Sequence, residues 1–238
     1  MSTLIKIITA SILSLTLSSC NLGLGRMGNG NVITKERSLI GDFDHIEVVH
    51  GLDVYLVQSE TEHLTVQADE NLHDIIMTEV ENNTLKIYAD ENIASSTTKK
   101  IMVNFKNVSK ISSTSGSAIY STNTITAENL ELYTASGSDM ELDIKVNNLN
   151  CTASSGSDLT VKGTAHSLTA NASSGSDIHA KNLSTQTVNA KSSSGADILV
   201  NVSKELTAKA ESGGDIIYVG NPEKVNESKQ VSGSVRAQ

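Results

Sequence analysis

Five aspartates are the residues with most capacity for chemistry: Asp139, Asp158, Asp177, Asp197 and Asp215. They close the tetrads Ser136-Gly137-Ser138-Asp139, Ser155-Gly156-Ser157-Asp158, Ser174-Gly175-Ser176-Asp177, Ser194-Gly195-Ala196-Asp197 and Ser212-Gly213-Gly214-Asp215. The pattern also occurs without Asp as Ser115-Gly116-Ser117-Ala118 and Ser232-Gly233-Ser234-Val235. If each repeat lies on the last, the carboxylates form a row one rung apart. At about 5 Å two such charges repel by roughly 1 kcal/mol even in the dielectric of water. The row needs an offset, and two chemistries supply one. Each carboxylate can cap the corner by accepting local backbone N–H groups. Alternatively the row holds cations, calcium above all, through oxygens of Asp, Ser and the backbone. The known calcium-binding glycine repeat has a period of about nine residues. A period near twenty favours capping, so no metal ligands are assigned and no cofactor is expected, with calcium the one alternative.

Other reactive types are scattered. His45, His50, His63, His73, His166 and His179 lack metal-site spacing and read as structural or surface residues. Serines abound without a Gly-x-Ser-x-Gly elbow, and the Ser-Gly corners recur seven times whereas a nucleophile is unique. No phosphate-binding glycine loop is present. Cys151, set among alternating small residues, reads as a compact buried side chain. No catalytic residue is assigned, and the chain is expected not to be an enzyme.

The elements that position the aspartates are legible in the repeat itself. Gly116, Gly137, Gly156, Gly175, Gly195, Gly213 and Gly233 are 21, 19, 19, 20, 18 and 20 residues apart. Each corner is preceded by apolar alternation, as in Leu149-x-Cys151-x-Ala153 and Leu168-x-Ala170-x-Ala172, and followed by more, as in Leu159-x-Val161 and Ile198-x-Val200-x-Val202. Period-two alternation buries one face of a strand, and glycine accepts the positive φ of a tight corner. One unit cannot bury its inner face alone, so units must stack. The predicted fold is all-β: a parallel β-solenoid with rungs of about 20 residues, right-handed by the general preference of parallel crossovers. Its small inner residues suit a chain with no Trp and only two Phe. The competing antiparallel β-sandwich would not repeat the same side chains at the same corner. Residues 111–238 are the regular rungs, and 36–110, where Gly51-Leu52-Asp53-Val54 echoes the repeat, are expected to be irregular rungs of the same body.

The N-terminus supplies an address. Lys6 precedes a short apolar run that ends Leu17-Ser18-Ser19-Cys20, the form of a secretory signal with a lipobox. Resemblance to bacterial lipoproteins implies removal of residues 1–19 and acylation of Cys20. Residues 20–35, rich in glycine, are expected to be a flexible tether that lifts the body (36–238) off the membrane. The formal net charge of −9 argues against nucleic acid as a partner. Asn21 after the lipid cysteine is compatible, by analogy with Gram-negative sorting, with the outer membrane.

The body resembles a known group, the auto-transporter adhesin "head GIN domain" family of envelope proteins. The likeness rests on Phe43-Asp44-x-Ile46-x-Val48, Gly51-x-Asp53-Val54, Asn71-Leu72, Asn83-x-Leu85-x-Ile87, the serial Ser-Gly-Ser corners and Tyr218-x-Gly220-x-Pro222. It implies a β-solenoid on an exported or lipid-anchored protein and carries over no site residues. The leading expectation is a non-enzymatic envelope module that presents a rigid surface to a protein or glycan partner. A structural spacer or scaffold is the alternative. A polysaccharide-cleaving β-helix enzyme is disfavoured by the lack of any arginine or Trp between Ile111 and Gly220.

Overall fold

Period-two alternation becomes β-strand throughout residues 25–228 and 232–238, which the computed structural model describes. Residues 1–24, where the signal segment, the acylated Cys20 and the start of the tether were expected, lie outside the described residues. The first strands are β1 (Arg26–Met27), β2 (Val32–Arg37), β3 (His45–Val48), β4 (Asp53–Gln58) and β5 (His63–Asp69). A 3-10 turn at Glu70–Leu72 leads to β6 (Ile76–Glu81), β7 (Thr84–Ala89), β8 (Ile93–Ser95) and β9 (Lys99–Phe105). The repeat region supplies β10 (Lys110–Thr114), β11 (Ala118–Ser121), β12 (Ile125–Ala135), β13 (Asp139–Ser154), β14 (Asp158–Ser173), β15 (Asp177–Ser193) and β16 (Asp197–Glu211). Three short strands finish the chain: β17 (Asp215–Val219), β18 (Lys224–Glu227) and β19 (Ser234–Ala237).

From β10 onward the strands pair in parallel, so the fold is the stacked β-solenoid and not the sandwich. Equivalent residues stand over one another, and the interior fills as columns. Met140, Leu159, Ile178, Ile198 and Ile216 form one column, and Leu132, Cys151, Ala170, Ala190 and Ala208 another. All ten are at most 2% exposed. The unequal repeat lengths are absorbed away from the glycine corner, at irregularities between Thr160 and Gly163, Ala180 and Ser184, and Thr185 and Thr187.

The N-terminal part departs from simple stacking. Strands β3 and β4 form a rung that pairs in parallel with β10 and β11 on one side and with β7 and β9 on the other. The first rung in sequence therefore sits between the second and the third. Antiparallel strands close that end: β6 joins β7, β5 joins β9, and β2 joins β5. The β6–β7 reversal is local: Asn82 and Asn83 have φ of 49° and 64°, both central positions of a two-residue hairpin turn being left-handed. Residues 36–110 are thus two rungs and an antiparallel border.

The glycine-rich segment is also more ordered than a tether from Arg26 onward. Strand β1 pairs with β8, and Arg26 Nη2 contacts Glu91 Oε1 at 2.7 Å. The Gly30 and Thr97 N–H groups donate to the Asp69 carboxylate at 2.6 and 2.7 Å, and Asn29 N–H donates to Asn71 Oδ1 at 2.9 Å. A Cβ at Gly28 would meet Asp69 Cγ at 2.6 Å. Glycine here permits close backbone approach, where composition alone suggested flexibility. Burial pushes the Asp69 carboxyl up, but N–H donors from Thr97, Gly30 and Thr98 outweigh that and hold it below the usual range.

Candidate functional site

Each corner is made by backbone conformation first. Ser115, Ser136, Ser155, Ser174, Ser194 and Ser212 have φ between 51° and 58°, and the glycines after them lie between 66° and 78°. His50 and Gly51, at 65° and 70°, make the same corner in the β3–β4 rung. Two consecutive left-handed residues cost energy, above all at the non-glycine position. Hydrogen bonds along the stack offset it: the N–H of Gly116, Gly137, Gly156 and Gly175 each donates to the next rung's corner serine carbonyl at 3.1 Å. Gly233 differs from the other predicted corner glycines, since its φ is not in the left-handed region.

The aspartates are brought together as expected. Asp139, Asp158, Asp177, Asp197 and Asp215 pair in register along one outer edge, and Asp53 lines up with them through Ala118. Burial, then the neighbouring Asp177 and Asp139 charges, raise the Asp158 carboxyl above its ordinary range. Asp197 is raised by burial and by Asp177 and Asp215. At the end of the row the Ser234 hydroxyl (2.8 Å) and the Arg236 guanidinium (3.4 Å) hold Asp215 down.

Serine does most of the corner capping, and within the row the Asp197 carboxylate accepts the Asp215 N–H. Among the described residues no side-chain hydrogen bond reaches Asp139, Asp158 or Asp177. The buried Ser138 Oγ accepts from Ala135 N–H (3.1 Å) and lies 2.7 Å from Ser113 O and 2.9 Å from Ala135 O. Ser157 Oγ accepts from Ser154 N–H, and Ser176 Oγ from Ser173 N–H, both at 3.1 Å. A hydroxyl inside the corner reaches these groups, while a carboxylate at the next, outward position faces solvent. Where the corner residue is Ala196, Ser192 supplies the buried hydroxyl and donates to Ala196 O. Among the described residues no group of three or more His, Cys, Asp or Glu is placed to hold a metal ion.

The remaining reactive types are dispersed. Cys151 is fully buried, and desolvation pushes its thiol far up, away from reactivity. His73 is buried under β2 with Nε2 3.2 Å from Ile33 O, and His50 Nδ1 lies 2.7 Å from Ala89 O at a corner.

A second surface was not singled out from the sequence. It is the outward side of the strands that precede the glycine corners. Three rows run along it: Asn129, Asn148 and Ser167; His45, Lys110, Glu131, Asn150 and Thr169; and Glu47, Ser112, Tyr133, Thr152 and Asn171. Asn148 Nδ2 donates to Asn129 Oδ1 (2.8 Å), Ser167 Oγ donates to Asn148 Oδ1 (2.7 Å), and Lys110 Nζ pairs with Glu131 Oε1 (2.7 Å). Two hollows of about 450 and 580 Å³ lie on this face and share His45 and Lys110. The small Ser112 leaves space between Glu47 and the Tyr133 ring. The signal was present as the 19-residue spacing of Asn129, Asn148 and Ser167, a polar row in phase with the corners.

Comparison with known proteins agrees with this architecture. A family model described as "Putative auto-transporter adhesin, head GIN domain" matches residues 42–222. A crystal structure of a "putative adhesin" from Bacteroides fragilis superposes with a TM-score of 0.84 at 22% identity, covering 90% of this chain and all of that one. A "putative lipid binding protein" from Parabacteroides distasonis gives 0.70 at 25% identity, with 90% and 99% covered. A "putative adhesin" from Parabacteroides merdae gives 0.71 at 20%, with 90% and 98% covered. No curated protein matches the chain.

Proposed function

We propose, from the premise that this chain belongs to the head GIN domain family of auto-transporter adhesins, that it is a lipid-anchored, non-enzymatic envelope protein whose solenoid is an adhesive binding module. One observation carries this reading: the rung register on both sides of the glycine corners from β12 to β17, which holds a row of aspartates and rows of polar outward side chains on a hydrogen-bonded frame. Such a surface suits repeated contacts, each weak and together avid. The order Lys6, apolar run, Leu17-Ser18-Ser19-Cys20 supports anchoring through Cys20, in the outer membrane of a Gram-negative cell.

The test has two arms. Cells expressing the full chain are fed a tagged fatty acid and then shaved with protease. The label is expected on the native chain and lost in Cys20→Ala, and the solenoid is expected to be digested from outside. The detergent-purified protein is then offered to host cells and matrix proteins. Protection from protease together with no binding to any surface would sink the adhesive reading.

A structural spacer role has one observation in its favour. On their outer side β18 and β19 pair with no further strand among the described residues, leaving a sheet edge open for assembly.

A further inference from the structure

We infer that the face carrying Tyr133, Asn129 and Asn148 is a binding site for an uncharged carbohydrate chain, an inference that rests on the adhesive reading above and names its partner class. The first argument is charge. On this face Lys110 is paired with Glu131 at 2.7 Å and Glu47 is a second carboxylate, while the aspartate row lies on a different edge. A polyanionic glycan finds no unpaired cation along the three rows, and a cationic partner is drawn to the aspartates instead.

The second argument is hydrogen-bonding capacity. A sugar hydroxyl both donates and accepts, and is matched by groups that do the same. Asn129, Asn148, Asn150, Ser167 and Thr169 are such groups, held on parallel strands one rung apart. The Ser167–Asn148–Asn129 chain fixes two of the carboxamides in orientation, so little side-chain entropy remains to be lost on binding.

The third argument is the apolar component. Sugar rings present a C–H face that stacks on an aromatic side chain. Tyr133 is half-buried, and its side chain borders the hollow above Ser112, with Glu47 and His45 around the same space. A protein partner would instead look for several large apolar anchors. Among the described residues the exposed large hydrophobic ones are Met27, Ile40 and Met77, and none lines either hollow. The two hollows together have the size of a site for several sugar units rather than one.

The experiment uses the detergent-purified full chain and an array of neutral oligosaccharides: linear gluco-, manno-, xylo- and N-acetylglucosamine series. Binding to at least one series is expected. Tyr133→Ala and Asn148→Ala should each weaken it about tenfold, while Asp158→Asn, on the aspartate edge, should leave it unchanged. Both substitutions lie at the surface, and an unchanged melting temperature confirms that each variant is folded. Binding that survives Tyr133→Ala and Asn148→Ala places the sugar elsewhere and overturns the site. Host-surface adhesion with no glycan bound overturns the partner class and leaves the adhesive reading standing. Loss of both removes the adhesive reading as well.

Discussion

Ser157 Oγ lies 3.1 Å from Thr134 Oγ1, a pair of hydroxyls on neighbouring rungs with no exposure to solvent. The same oxygen accepts from Ser154 N–H, so one side chain serves both its own corner and the rung before it. Ser157→Ala leaves a partly buried N–H and the buried Thr134 hydroxyl without this partner. The expected loss is about 1–3 kcal/mol, or roughly 2–12 °C in melting temperature for a chain of this size. Following it with Thr134→Val should recover part of the loss, because the orphaned hydroxyl goes too. Additive losses in the double variant would argue that the two hydroxyls act independently.

The aspartate row carries a prediction of the opposite sign. Burial and flanking carboxylates raise Asp158 in the folded chain. A carboxyl raised on folding is destabilising while ionised, and that penalty disappears as pH falls through its folded pKa. Asp158→Asn is therefore expected to raise the melting temperature at neutral pH, by the equivalent of roughly 0.2–1 kcal/mol for like charges on adjacent strands. The gain should shrink in acid, and also in high salt because the site is largely exposed. A lower melting temperature for Asp158→Asn at neutral pH would mean the row is held by a counter-ion. Millimolar calcium added to chelated protein checks this separately, and no more stabilisation than sodium at equal ionic strength is expected.

The repeat region was readable because every rung restates the same physical problem. A glycine at each corner, apolar alternation on both sides and a constant period leave parallel stacking as the solution that buries all the inner faces. The corner itself was only half legible. Capping was expected of the aspartate carboxylates, whereas the serine hydroxyls make most of those bonds, because the choice depends on which side chain points inward at the corner. The N-terminal rungs were less legible because their order in space, with β3 and β4 between β7–β9 and β10–β11, depends on long-range pairing. The Asn129–Asn148 face escaped notice for a different reason: polar residues on an outward row look like ordinary solvation until register brings them together.

The open C-terminal end has its own safeguard. Glu227, exposed at the end of the stack, pairs in register with the buried Ala208, so a carboxylate stands in line with that column at the last rung. Val225 and Val235 continue the buried columns of Leu206 and Ile216 beside it. A charge on an edge strand discourages addition of another chain. Glu227→Val is expected to turn the protein toward end-to-end association that rises with concentration in sedimentation velocity, while the parent chain does not associate through this end. Equal sedimentation of the two would show that the charge does not guard the edge.

Two glycines separate conformational strain from steric exclusion. At Gly156 φ is 67° and an added Cβ meets nothing within 4 Å, so Gly156→Ala bears only the cost of left-handed backbone. That cost is about 1–2 kcal/mol, and it falls on a corner whose N–H is bonded to Ser174 O at 3.1 Å. At Gly163 φ is 112° and an added Cβ would stand 2.0 Å from Ile144 O, a backbone atom of the adjacent rung. The alanine there can be accommodated only by parting the β13–β14 ladder, where Gly163 is the register partner of Ile144. Gly163→Ala is therefore expected to cost beyond about 4 kcal/mol and to open hydrogen exchange along both strands, whereas Gly156→Ala leaves exchange local to its corner. Similar melting temperatures for the two variants would refute the close contact between those rungs.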